Sequence, residues 1–364
     1  MNKKKIFIVI GGFGLGGTEK QLFLKVKYLK DKYNLTIIFF YQKGELYKDF
    51  KKLGVKLIDL TNSNKIKLLR YINIFINLWI ILKKKKPQIV HFYLPHSYLL
   101  GGLLTYFFQK TNFLMSRRSL NFYQDKILFV KSIEKRLLHR KMNKILVNSN
   151  AIKKQLIEDE GVNRSKIEVI YNLIERKKIT KKKANKIIKI IFLANLIPYK
   201  NHNMIINAAE LLPSKLKYKI LLVGKGTREY VNSLKKRVKQ LNLDNKISFL
   251  GQIKNPNYLL NKSDIGIICS NEEGLSNSIL EYMNFNLPIV ATKVGGNPEM
   301  IKNNFNGYLV VTNDYIEFSK KLEKLILDKK LREKLGNNNL KLLKKNFSLK
   351  ENLEKYLKIY DQLL

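Results

Sequence analysis

The stretch "DIGIICSNEEGLSNSILEYMNFNLPIVATK", residues 264–293, sets two short apolar runs on either side of a polar loop and a helical pattern. "DIGIICS" and "LPIVATK" are too short for core helices, rich in Ile and Val, and bounded by turn residues, so both read as buried strands. Between them, Ser278-Ile-Leu-Glu281 has the spacing of a capping box, in which Ser accepts from the helix amide and Glu bonds back. Strand, helix and strand in succession make the crossover unit of a parallel sheet.

The same alternation continues outward in both directions. In the first half, "KIFIVI", "LTIIFF", "VKLIDL", "QIVHFY", "NFLMSR", "KILVNS" and "IEVIYN" read as strands, with amphipathic stretches such as 18–31 and 66–86 between them. In the second half, "IIKIIFLAN", "YKILLVG", "KISFLG" and "GYLVV" join the two runs already quoted. Apolar runs that are continuous rather than alternating argue for parallel strands covered on both faces. The fold class expected is α/β, with two doubly wound Rossmann-like domains. A chain of 364 residues, 45% of them hydrophobic, suffices for two cores. The lysine-rich, core-poor stretch "ERKKITKKKANKIIK" is the natural join, which places the first domain at 1–175, a basic linker at 176–188 and the second domain from 189.

Seventy Lys and Arg against 28 Asp and Glu leave a formal charge of +42. Such an excess calls for a polyanionic neighbour: nucleic acid, an anionic membrane or a phosphorylated ligand. Enrichment in Lys, Ile and Asn is equally what an AT-rich coding sequence produces, so charge alone does not choose. No aromatic–basic RNA motif accompanies it, and nucleic acid is not expected as a partner. The single cysteine, Cys269, excludes a disulfide framework and points to a reducing compartment. "MNKKKIFIVIGG" has too few apolar residues for a secretory signal. "IKLLRYINIFINLWIILKKKK", residues 66–86, is interrupted by Lys67, Arg70, Asn73 and Asn77, the stripe of an amphipathic helix rather than a membrane span.

In an open parallel sheet, ligands bind beyond the carboxyl ends of the strands. The unusual residues fall there. "IVIGGFGLGGTEKQ" puts Gly11, Gly12, Gly14, Gly16 and Gly17 after the first strand, where backbone can approach a ligand and Thr18 can open a helix. Gly12, Gly14 and Gly17 fit G-x-G-x-x-G. No acidic residue ends the second strand, however, which argues for a phosphate or sugar over a nicotinamide or flavin. "FLANLIPYKNHNMII" sets Lys200 just ahead of a helix, so an ammonium and free amides converge. Gly224 and Gly226 follow another strand, and Gly251 a third. Glu273, with Gly274 beside it, and Glu281 flank a helix start. The amides of Ser276, Asn277 and Ser278 suit a phosphate, and the two carboxylates suit sugar hydroxyls. A nucleotide sugar carries hydroxyls at both ends and a diphosphate between. His91 and His96 follow a strand of the first half. With four histidines, one cysteine and no clustered Asp-x-Asp, a metal site is not expected.

The segment "EEGLSNSILEYMNFNLPIVATKVGGNPEMI" resembles the E-x7-E region of the retaining glycosyltransferases of family 4, which have the GT-B fold. The resemblance runs nearly the length of the chain, through "GGFGLGGTEKQ", "IVHFYLPH", "ILVNSNAIKKQLIEDEGVNRSKIEVIYNLIE", "ANLIPYKNH", "LLVGKG" and "ISFLG" in order. It implies two domains facing a cleft, the first on the acceptor side, the second, 189–345, holding the nucleotide sugar, and a last helix at 346–364 crossing back to the first. By the same resemblance, Glu281 binds the nucleotide ribose and Glu273 the transferring sugar. The amides around Ser276, Asn277 and Ser278 lie near the diphosphate, and Lys200 neutralises the leaving group. Phe249, Leu250 and Gly251 line the base pocket, Gly16 and Gly17 approach from the first domain, and Asn195, Gly224 and Gly274 complete the donor set. His91 and His96 join Glu273 and Lys200 as catalytic candidates. Three departures stand out. Asn195 replaces a common Arg, removing one phosphate charge. Leu173 replaces the glycine of an "NG" pair. Tyr93 breaks the His-x-His pattern that begins at His91, and whether His96 substitutes is left open by the sequence.

The expected activity is transfer of a hexosyl or hexosaminyl group from a nucleotide-diphosphate donor, foremost a UDP-sugar, with retained configuration and with neither metal nor cofactor. The setting expected is surface polysaccharide or glycolipid synthesis in the cytoplasm, peripheral on the inner face of an anionic membrane, with a lipid-linked acceptor as partner. The alternatives are a nucleotide-sugar epimerase on the same plan, or a non-enzymatic protein that binds anions or membranes.

Overall fold

Thirteen apolar runs expected as strands form two separate parallel sheets in a computed structural model, which describes residues 3–41, 43–61, 66–124, 129–177, 179 and 187–364. Positions 178 and 180–186 of the expected basic linker lie outside the described residues. The first sheet contains β1 (Lys5–Ile10), β2 (Asn34–Phe39), β3 (Lys56–Asp59), β4 (Ile89–Tyr93), β5 (Asn112–Arg117), β6 (Lys144–Val147) and β7 (Ile167–Val169), in the order β3-β2-β1-β4-β5-β6-β7. The second contains β8 (Ile188–Leu193), β9 (Tyr218–Val223), β10 (Ile247–Gly251), β11 (Ile265–Ile268), β12 (Ile289–Thr292) and β13 (Gly307–Val310), in the order β10-β9-β8-β11-β12-β13. Each sheet starts near its middle and winds first one way and then the other. The reversals fall between β1 and β4 and between β8 and β11, where doubly wound sheets open a crevice for ligands.

Two compact units divide the chain: one comprises Met1–Leu173 with Leu349–Leu364, the other Ile174–Ser348. In the first, Ile6, Ile8 and Ile10 of β1 face one core, and Phe7 and Val9 face the other. This is the two-residue period of a strand buried on both sides. The last helix, Leu349–Gln362, is part of this unit. It adds Tyr356, Ile359 and Tyr360 to the core of Ile6, Leu22 and Tyr33. Its Asp361 accepts hydrogen bonds from Lys32 and the Tyr33 hydroxyl, both at 2.6 Å. No described helix is long and apolar enough to cross a membrane.

Beside the apolar cores lies a buried ionic cluster. Arg117, at the end of β5, donates to Glu134 at 3.1 Å and Glu160 at 2.9 Å, all three side chains being 0–1% exposed. His139 Nε2 lies 2.7 Å from Glu160, and Gln124 donates to both carboxylates at 2.6 and 3.1 Å. Of the three potential metal ligands, Glu134 and Glu160 are thus already engaged by a guanidinium and an amide, and His139 by Glu160 and the Tyr98 hydroxyl. Buried charges persist only when paired this fully. Burial raises the Glu160 carboxyl, but the His139 hydrogen bond and Arg117 outweigh it and hold the group below the usual carboxylate range. A lowered folded-state value contributes stability above the ordinary pKa of about 4.3, and that stability is lost as pH falls through the folded value. Arg117→Ala, which strands two buried carboxylates, is expected to cost roughly 3–5 kcal/mol in urea denaturation at neutral pH. The deficit should shrink as acidification protonates the carboxylates. An unchanged midpoint would show that the cluster is stabilised without Arg117.

Candidate functional site

At the reversal point of the second sheet, two strand-end loops meet. The loop after β8 passes through a short 3-10 turn, Pro198–Lys200, then Asn201 at φ 52°, and enters the helix His202–Glu210. Lys200 therefore sits one residue before the cap, as the sequence indicated. The loop after β11 carries Ser270 and Glu273. Lys200 Nζ and Ser270 Oγ both lie 2.7 Å from Glu273 Oε1, and the Lys200 and Glu273 side chains are 16% and 10% exposed. Glu273 Oε2 takes no hydrogen bond from the described residues. One carboxylate oxygen anchors the ammonium, and the other keeps its acceptor capacity.

Several bonds hold the two loops in register. The Asn271 amide donates to Tyr199 O at 2.8 Å, and Asn201 Nδ2 donates to Asn271 Oδ1 at 3.0 Å and Asn313 Oδ1 at 2.8 Å. Behind them, Gly296 N donates to Gly274 O at 3.1 Å. Gly295 stands at φ 48°, and a Cβ there would fall 1.6 Å from the Glu273 carbonyl oxygen. The double glycine after β12 therefore lets a third loop press against the backbone of Glu273. The sequence alone gave no signal for Tyr199, Asn201, Ser270, Asn271 and Asn313, which are ordinary polar residues until the loops converge.

Burial works against the charge of Lys200, but Glu273, Tyr199 and Glu272 outweigh it, and the ammonium is held above its ordinary pKa. Close by, His202 is fully buried and stacked on Phe192, with ring centroids 4.6 Å apart. Burial, helped by Lys200, lowers it to about 4, so it is neutral at physiological pH.

The capping box expected at Ser278 and Glu281 does not form. The helix spans Asn277–Asn284 and its cap is Ser276, whose Oγ accepts from Ile279 N at 3.4 Å. Ser278 is the second helical residue and donates instead to Leu193 O at 2.6 Å, the carbonyl left over where β8 ends. Glu281 is consequently the fifth helical residue, too far along to bond back to the cap. Tyr282 completes the attachment, accepting from Leu193 N at 2.8 Å and donating to Ile267 O at 3.2 Å. Gly266 makes room for it, since a Cβ there would lie 2.4 Å from the tyrosine ring. The amides of Ser276, Asn277 and Ser278 are thereby fixed at the sheet's reversal point.

The remaining candidates of this unit are placed as follows. A Cβ on Gly224 would meet Ala194 O at 2.0 Å, so this glycine lets the loops after β8 and β9 touch each other. Asn195 is exposed, and its Oδ1 accepts from Lys225 N at 3.4 Å. Gly251, at φ 69°, follows a register shift in β10. The irregularity leaves the Leu250 side chain 39% exposed at the strand end.

In the first unit, Gly16 caps the helix Gly17–Leu29, which begins one residue earlier than Thr18. A Cβ on Gly16 would lie 2.3 Å from a carboxylate oxygen of Glu19. The Glu19 carboxyl, raised by burial, also bonds to its own amide, so a carboxylate already covers this helix start. His91 and His96 are separated in character. His91 is fully buried, with Nε2 2.9 Å from Ser116 Oγ and Nδ1 2.7 Å from Tyr360 OH. Burial, Lys25 and Arg118 push it well below the usual imidazole value. His96 is exposed, edge-on to Tyr41 at 5.7 Å.

Residues 174–342 match the family described as glycosyl transferases group 1, and residues 15–178 match Glycosyltransferase Family 4. An uncharacterised glycosyltransferase of Methanocaldococcus jannaschii is 32% identical over 260 residues, 68% of this chain and 64% of its own length. Matches to two further curated relatives span about half of each, 54% and 47%. An Escherichia coli protein described as a UDP-Gal:alpha-D-GlcNAc-diphosphoundecaprenol alpha-1,3-galactosyltransferase is 25% identical over 323 residues, 82% of both chains. Among solved structures, an Anabaena protein in complex with UDP and glucose superposes with a TM-score of 0.86 over 99% of this chain and all of its own, at 18% identity.

Gly295→Ala is expected to lose more stability in urea than Gly251→Ala. Both place a side chain at positive φ, a strain of roughly 1–2 kcal/mol. Only Gly295 adds a collision with Glu273, since a Cβ on Gly251 meets nothing within 4 Å. Equal losses would show that the Glu273 loop retreats without cost.

Proposed function

The chain belongs to the family 4 glycosyltransferases and has their two-domain GT-B fold, and from that premise we propose that it moves a hexosyl or hexosaminyl unit from a UDP-sugar to an acceptor with retained configuration. The setting is surface polysaccharide or glycolipid synthesis, the acceptor a glycan on a lipid diphosphate at the inner face of a membrane. The observation that carries this reading is the Lys200–Glu273 pair at 2.7 Å, set where a doubly wound sheet receives its ligand. The E. coli relative's description supports both the UDP donor and the lipid-linked acceptor, and the Anabaena complex supports the donor.

Transfer breaks the bond between the anomeric carbon and the diphosphate oxygen, so negative charge grows on that oxygen. Lys200 and the amides of Ser276, Asn277 and Ser278 stabilise it, and a preorganised ammonium in a partly dry site does so far better than one in water. Glu273 holds the ammonium with one oxygen and accepts a sugar hydroxyl with the other, while Glu281 takes the ribose. Leu250 and Gly251 border the base, and Gly224 and Gly274 shape the loops around the phosphates. The acceptor hydroxyl attacks from the face the diphosphate leaves, and its proton passes to the departing phosphate oxygen. With Asn195 in place of the family's usual Arg, more of the leaving-group charge falls to Lys200. Of the two histidines, His96 is exposed enough to meet a substrate, whereas buried His91 is bonded to Ser116 and Tyr360 and stays out of the chemistry. No cofactor enters this scheme, and Lys200 supplies the positive charge a metal would otherwise bring.

Glu273→Gln should slow turnover by about 10²-fold or more, with UDP binding measured by calorimetry reduced much less. Lys200→Ala should weaken UDP binding and turnover together. Near-wild-type turnover in Glu273→Gln would sink the assignment. Excess EDTA should leave the rate unchanged, and loss restored by manganese would overturn the metal-free scheme. Proton NMR of the product should show the anomeric configuration of the donor.

A further inference from the structure

The helix Lys67–Lys85 is apolar on two faces, whereas a helix covering a sheet needs only one. Its inner row, Ile74, Leu78 and Leu82, is buried in the core that lies against Phe7 and Val9. Its outer row, Leu68, Ile72, Ile76 and Ile80, repeats every four residues and is 68%, 45%, 47% and 46% exposed. Lys67 and Arg70 flank the start of this row, and Lys83 to Lys86 flank its end.

The pattern extends beyond one helix. Of the thirteen exposed large hydrophobic residues described in the first unit, twelve lie between Ile66 and Leu137; the remaining one is Tyr28. Phe107 and Phe129 are 65% and 69% exposed. The Tyr106 hydroxyl donates to Leu137 O at 3.1 Å, tying the turn at Gly102–Tyr106 to the segment around Leu137. Lys141 Nζ lies 4.6 Å from the Tyr106 ring centre. Residues 66–144 contain sixteen Lys and Arg against two acidic residues, Asp125 and Glu134, whereas the whole chain has 70 against 28. Glu134 is buried on Arg117 and offsets nothing at the surface. Lys and Arg are no denser here than in the chain at large; what sets this stretch apart is its scarcity of acidic residues, which a bias toward lysine codons does not produce.

We propose that the outer face of the helix Lys67–Lys85, with the neighbouring exposed aromatics, docks on an anionic lipid bilayer. The Leu and Ile row enters the boundary between headgroups and acyl chains, and the flanking cations meet lipid phosphates. An amphipathic helix lying in that plane buries its apolar face by about 5–10 Å. Charge decides between this occupant and a second copy of the chain: two such surfaces would set cations against cations, whereas an anionic bilayer neutralises them. An unpaired aliphatic row equally has no use on a nucleic-acid backbone. The surface deepens the membrane setting proposed above, and it stands independently of the donor site.

Flotation of the full chain with vesicles of phosphatidylcholine alone, or mixed with phosphatidylglycerol, tests it. Binding should require the anionic lipid and fall steeply with added salt, as the screening length shortens to about 8 Å at physiological ionic strength. Ile72→Ser combined with Ile76→Ser should lower vesicle affinity at least tenfold. Both sites are exposed, so the fold should persist, which circular dichroism and retained UDP binding would show. Lys84→Glu with Lys85→Glu should weaken binding to anionic vesicles alone. Equal recovery on neutral and anionic vesicles, unchanged affinity in the Ile72/Ile76 variant, or a dimer that this variant dissolves without any vesicle binding would each overturn the proposal. Absence of UDP binding with vesicle binding intact would count against the donor site and leave the docking surface standing.

Discussion

A lysine and a glutamate 73 residues apart meet at 2.7 Å, and much of the second unit is arranged so that they can. Side chains this little exposed keep their charges only if their loops hold position, because an ion pair out of water must outweigh its own desolvation. That requirement explains features that look unrelated along the chain. Asn201 adopts a left-handed conformation so that Lys200 precedes a helix, and its amide group staples the loop to Asn271 and Asn313. Gly295 exists as glycine because the carbonyl of Glu273 occupies the space a side chain would need. Ser278 and Tyr282 anchor the neighbouring helix to the end of β8, so the amides and the ion pair share one frame.

The first unit solves a different problem with polar groups. Lys25 is 1% exposed, and its ammonium donates to Tyr360 OH at 2.8 Å and lies 4.4 Å from the Tyr93 ring centre. Burial and the nearby Arg118 push it well below the ordinary lysine value. Arg118 in turn donates to Asn172 at 2.8 Å and Tyr356 OH at 2.7 Å. Tyr356 and Tyr360 both come from the last helix, so that helix is held by hydroxyls as well as by apolar packing. His91 belongs to this arrangement. A histidine at a strand end resembled a catalytic group in the sequence, and its ring turns out to join β4, β5 and the final helix.

The strand-like runs were legible because both faces of each sheet are covered, which forces unbroken apolar sequences, and short length then separates them from helices. Lys200 and Glu273 were legible for a related reason: strand ends in doubly wound sheets are where polar residues gather, and both stood there. The helix start between Glu273 and Glu281 was misplaced. Ser276 and Ser278 offer the same chemistry to a cap, and only the Leu193 carbonyl, 85 residues away, draws Ser278 aside.

Sequence alone determined that the chain forms two parallel α/β sheets and that its polar residues collect at particular strand ends, because side-chain period and local turn chemistry are properties of neighbours along the chain. Tertiary structure alone decided that Lys200 and Ser270 share one oxygen of Glu273, that Gly224 packs against Ala194, that His91 is sealed while His96 is open, and that Leu68, Ile72, Ile76 and Ile80 face outward while Ile74, Leu78 and Leu82 face in. A helix with two apolar rows does not announce which row the sheet will take. Long-range contacts settle it, and they depend on which loops close over which strands.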